Sequence, residues 1–74
     1  MKFEKNIDLD AQLVLNGMKG GIDAIMNFGL RRRDIFTTTK DVTDRCEWLK
    51  TQDDEYITKV SEKAAELEAQ LKNK

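Results

Sequence analysis

Between Val42 and Leu71 the chain repeats an apolar or small residue every three or four positions: Val42, Cys46, Leu49, Tyr56, Val60, Ala64, Leu67 and Leu71. That spacing marks one face of an α-helix, and neither Gly nor Pro interrupts it. Asp53 alone stands where the pattern asks for an apolar residue. The pattern predicts one long amphipathic helix over residues 40–72, its stripe forming a seam against another helix. Within such a seam, Asp53 sits at a wet edge, or pairs with a Lys or Arg of the facing helix, or fixes register as a polar core residue. The wet edge is preferred, because a carboxylate is expensive to bury.

A second stripe precedes it over residues 10–30: Ala11, Val14, Leu15, Met18, Ile22, Ile25 and Met26. Gln12, Asn16, Lys19, Asp23 and Asn27 fall on the other side. Gly17, Gly20 and Gly21 each cost about 1 kcal/mol relative to Ala in a helix interior, so a kink or break at Gly20-Gly21 rivals a continuous helix. Continuity is the expectation, because the stripe keeps its register across the glycines. In a straight helix Gly17, Gly21, Ala24 and Phe28 would form a flanking strip where another backbone approaches closely. Simple tolerance of crowding inside a bundle explains that strip more economically than a dedicated partner groove.

The flanks supply start and stop signals. Residues 1–9 read as an arm whose Phe3, Ile7 and Leu9 pack on a helix, with Asp8 or Asp10 capping the first turn. In the connection over residues 31–39, Gly29 suits a helix end and Arg31, Arg32 and Arg33 complement the C-terminal dipole. Thr38 and Asp41 have capping-box spacing, and Ile35 and Phe36 should both turn inward.

Length then becomes decisive. Residues 40–72 would span about 50 Å and residues 10–30 about 32 Å at the α-helical rise. The expected fold is all-α: a helical hairpin with a short first helix and a long C-terminal one, in a single domain. The first helix would cover the second only to about Val60, leaving Ala64, Leu67 and Leu71 bare unless the N-terminal arm, through Phe3 and Ile7, covers part of them. Bare stripes meet other chains, so a homodimeric bundle or a bound larger partner is expected. The chain has 74 residues, no His and one Cys, so neither a metal nor an internal disulfide is expected to support its small core.

Function classes narrow by elimination. The charged fraction is 36% and the net charge −1, which creates no field for nucleic acid or membrane. Residues 1–5 lack a signal-like apolar run, no stretch reaches membrane-spanning length, and a lone Cys fits a reducing cytoplasm. Asp53, Asp54 and Glu55 are consecutive, so on a helix they diverge rather than converge as an acid–base pair. With no His and no activated nucleophile, no enzyme activity, cofactor or small-molecule substrate is expected.

The remaining residues have paired readings. Trp48, on a charged flank, is either an interface anchor or a cover for the helix side or the N-terminal arm. Arg31, Arg32 and Arg33 either contact phosphate or only cap and solvate a helix end, the latter preferred. Cys46 is read as a small buried hydrophobe. The expected function is a non-enzymatic interaction module: an adaptor, assembly factor or stoichiometric inhibitor of the kind a phage or mobile element encodes. Its partner-binding candidates are Trp48, Leu67, Leu71, Gly17, Gly21 and the three arginines. The alternatives are a dimeric nucleic-acid-binding regulator using Arg31–Arg33 and a structural oligomerisation subunit.

Overall fold

The computed structural model describes residues 3–72, and among them every regular element is helical: α1 Ile7–Arg31, α2 Thr39–Lys50 and α3 Asp54–Lys72. The helical class stands, but the two-helix hairpin is replaced by three helices, of which the first is bent.

α1 begins earlier than Asp10. Asn6, extended at φ −146° and ψ 99°, caps it by accepting the Leu9 N–H at 3.1 Å. The expectation of a continuous helix fails at Gly21, whose backbone stands at φ 66°, ψ −152°. That conformation belongs to glycine. The chain folds back there: a Cβ on Gly17 would lie 3.0 Å from Ile25 Cδ1, whereas eight residues of straight helix would separate them by about 12 Å. The strip from Gly17 through Gly21 therefore does not exist as one face. Gly17 packs on Ile25 and Gly21 opens to empty space.

The turn after α1 is tight, with the Ile35 and Phe36 amides both donating to the Arg32 carbonyl at 2.9 Å. Only one of the two apolar residues turns inward: Phe36 is buried while Ile35 is 41% exposed. Thr38 and Asp41 form the capping box that starts α2. Gly29 is needed where it stands, since a Cβ there would collide with the Val42 side chain.

The long helix over 40–72 is interrupted at Thr51-Gln52-Asp53, and these residues supply the hydrogen bonds a break requires. The Trp48 carbonyl accepts from Thr51 Oγ1 at 2.7 Å and from Gln52 Nε2 at 3.0 Å, closing α2. Asp53 Oδ1 then accepts the Tyr56 N–H at 2.9 Å, opening α3. Asp53 is thus no buried register key; it faces solvent, as the wet-edge reading has it, and serves as a helix cap, a role suited to a short carboxylate.

The break redirects α3 along the first arm of α1 (residues 7–20), the two running parallel. Tyr56 meets Asn6 at their starts, and Leu71 shares a groove with Leu15 near their ends. The expected bare overhang is accordingly reduced. Ala64 is buried against the first arm, Leu67 is half-buried, and Leu71 remains 48% exposed. The first arm is buried on two sides. Leu9 and Leu13 join Phe28, Phe36 and Val42 in one cluster, and Ala11 joins Tyr56, Val60 and Ala64 in the other.

Candidate functional site

The Asn6 end of the first arm holds a buried polar network. Asp10 and Arg45 are 0% and 6% exposed. Arg45 Nε donates to Asp10 Oδ1 at 2.8 Å and its Nη2 to Asp10 Oδ2 at 3.0 Å, the two-pronged match that a planar guanidinium makes with a carboxylate. The same Nη2 donates to the Glu4 carbonyl at 2.8 Å. The Tyr56 hydroxyl donates to Asp10 Oδ2 and accepts the Asn6 N–H at 3.0 Å. Asp10, expected as a possible cap, is instead the hub of this network.

Aromatic rings enclose the ions. Arg45 Cζ lies 4.4 Å from the Trp48 ring centroid, and Trp48 stands 5.6 Å from Phe3 and 6.1 Å from Tyr56. Trp48 is thus half-buried over the N-terminal segment and a desolvated cation, an arrangement that strengthens cation–π attraction. Burial, and then the bond to Asp10, push the Tyr56 hydroxyl up to about 12. A phenol so held stays neutral and does not trade protons near neutral pH. No buried side-chain nitrogen or oxygen among the described residues lacks a partner. The network ties the N-terminal segment, α1, α2 and α3 together, with its polar atoms already engaged.

The opposite end of the first arm is apolar and open. Met18 is 68% exposed and Leu71 is 48% exposed, and both line one groove with Lys19, Glu68 and Lys72. Val14, Ala64 and Ala65 continue it on one side, and Leu15 and Leu67 on the other. Lys72 pairs with Glu68 at 3.0 Å on the rim. The floor is set by the α1–α3 packing, and Met18 stands proud because the chain turns away at Gly21 just beyond it.

The other candidates are dispersed. Arg31 and Arg33 are exposed beyond the bend, while Arg32 makes a forked contact with Asp34 at 3.2 and 3.3 Å. That bond holds the Asp34 carboxyl below its usual range and raises Arg32. Cys46 is half-buried and burial pushes its thiol up, away from the reactive thiolate. Val42 and Val60 belong to different clusters, so the residues read as one seam serve two separate packing faces.

Sequence reasoning passed over Arg45 and Met18. Arg45 meets a partner 35 positions away, which local spacing does not reveal. Met18 continues a helical stripe whose earlier members Ala11 and Leu15 are buried, and the bend just beyond it leaves it exposed. Among the described residues no group of three or more His, Cys, Asp or Glu is placed to hold a metal, and no helix is long and apolar enough to cross a membrane. Comparison with protein-family models, curated proteins and solved structures finds no match for this chain.

Proposed function

We propose that this protein is a small non-enzymatic interaction module that docks on a larger protein through the groove between Met18 and Leu71. One observation carries the reading: two large apolar side chains are 68% and 48% exposed across a single groove rimmed by Lys19, Glu68 and Lys72, with apolar hollows adjoining it at Val14 and Ala64 and at Leu15 and Leu67. Exposed apolar surface rimmed by charge is the usual composition of a protein contact site. The module acts by occupancy, as an adaptor, an assembly factor or an inhibitor does.

The nucleic-acid reading has weaker support, since Arg32 is engaged by Asp34 and the chain's net charge is −1. Binding is tested with wild-type protein, Met18→Asp and Leu71→Asp as baits in an extract of the source cells, followed by titration of the purified partner. The expected result is a stoichiometric partner retained by wild type and lost by both variants, with helical circular dichroism unchanged. Equal capture by all three baits would refute the groove as the docking site.

A further inference from the structure

We propose that Gly21 is a hinge through which two copies of this chain exchange their N-terminal arms (residues 3–20), giving a domain-swapped dimer in which each α1 is straight. The second copy then covers Met18 and Ile22 beside the hinge, so docking of a larger protein at the Met18–Leu71 groove belongs to the unswapped monomer.

Three observations converge. First, the reversal of α1 resides in one residue: Gly21 is the only described residue at positive φ, and nothing lies within 4 Å of the Cβ it lacks. No packing at Gly21 itself opposes a change of its dihedrals. Second, the apolar stripe keeps helical register across the bend, so the sequence on both sides also fits a straight helix. In the bent form two stripe members flanking the hinge, Met18 and Ile22, are 68% and 59% exposed. Third, the contacts broken by straightening are complementary by construction. A straight 25-residue α1 would span about 38 Å, and Gly17 could no longer touch Ile25 of its own chain. The face left by the arm of one copy is the face that the arm of the other fits.

Every interaction between residues 3–20 and the rest is then re-formed between chains, including Asp10 with Arg45 and Tyr56. The balance between monomer and dimer rests on what differs. The swapped form returns Gly21 to the helical region and lays two α1 helices antiparallel across their glycines, Met18 of one copy beside Ile22 of the other. Association entropy opposes it. Exchange of an identical element about a short hinge is a low-cost route to a dimer.

The test uses two epimers at one position, accessible by chemical synthesis of the chain. L-alanine in Gly21→Ala disfavours the bend and favours a helix. D-alanine favours the bend, because φ 66°, ψ −152° mirrors the polyproline-II region near about −75°, 145° that an L-residue adopts freely. Light scattering is expected to show a dimer for Gly21→Ala and a monomer for the D-alanine epimer. In mixed isotope-labelled samples, the nuclear Overhauser effect between Gly17 Hα and the Ile25 δ1 methyl is expected between chains in the dimer and within the chain in the monomer.

A folded monomeric Gly21→Ala, or a dimer that keeps this effect within one chain, would overturn the proposal. If Gly21→Ala does not fold, wild-type protein refolded at millimolar concentration decides. It is expected to yield a dimer with the interchain effect that the D-alanine epimer lacks, and identical behaviour of the two overturns the exchange. The measurement needs no larger partner. Leu71→Asp is expected to leave exchange intact, so failure of the swap and failure of the docking groove are distinguishable.

Discussion

At the Asn6 end of the first arm, a carboxylate, a guanidinium and a phenol share one dry site, and their polar atoms are engaged. At the Gly21 end, some 20 Å along the same helix, there is no comparable network among the described residues; Met18 and Ile22 stand in solvent on either side of an unpacked glycine, and Leu71 is exposed across a groove from Met18. One end holds four segments of the chain in register. The other is left unsatisfied. In a domain of this size stability is about 4–11 kcal/mol.

The largest expected effect comes from opening the closed end. Arg45→Ala leaves Asp10 buried with its counter-charge removed and takes away the cation stacked on Trp48. Breaking a buried pair in this way costs about 3–5 kcal/mol, so urea titration should show a midpoint lowered by that amount. A fully native midpoint would mean that the network does not hold the fold together.

Tyr56→Phe is the milder version. It leaves the Asn6 N–H without its acceptor and Asp10 Oδ2 with Arg45 Nη2 alone, at a cost of about 1–3 kcal/mol. It should also remove an alkaline component of stability. The hydroxyl is raised from 10.0 to about 12 in the fold, so the folded state holds its proton after the unfolded chain has released it. That contribution is complete below pH 10 and is lost as pH rises through 12. Denaturation curves of the variant and wild type should therefore converge across that interval.

Asp53→Ala tests the cap that separates α2 from α3. Its expected cost is about 1 kcal/mol, or about 4–8 °C in melting temperature for a domain of this length. An unchanged melting temperature would show that the break holds without the cap. The smallest effect on stability belongs to the open end. Leu71→Asp should shift the urea midpoint by no more than about 0.5 kcal/mol, while it abolishes docking.

The same contrast explains what could be read from the sequence. Helical periodicity, the Thr38–Asp41 capping box, the helix end near Gly29 and the apolar roles of Tyr56, Val60 and Leu49 all depend on neighbours within one or two turns. Local spacing encodes these directly. The break at Thr51-Gln52-Asp53 escaped because three non-helical residues stand where the spacing still runs at three and four, so the stripe passes through undisturbed. Its signal was the Asp53 side chain three residues before the Tyr56 amide, read as a flaw in a seam rather than as a cap. The bend at Gly21 escaped for a related reason: register across the glycines agrees with a straight helix, and only the packing of Ile25 on Gly17 and of Phe28 in the core selects the folded-back form. The network was least legible. Asp10, Arg45 and Tyr56 come from three helices, and nothing in their local spacing brings them together.

Native-state amide hydrogen exchange, read residue by residue, tests the contrast between the two ends most directly. The amides of Leu13 and Val60, both interior to their helices and buried, are expected to exchange only through global unfolding, with the free energy found by urea denaturation. Those of Gly21 and Ile22 are expected to exchange through a local opening several kcal/mol cheaper. Equal protection at both ends, or faster exchange at Val60 than at Ile22, would contradict a closed network holding one end and a free hinge at the other.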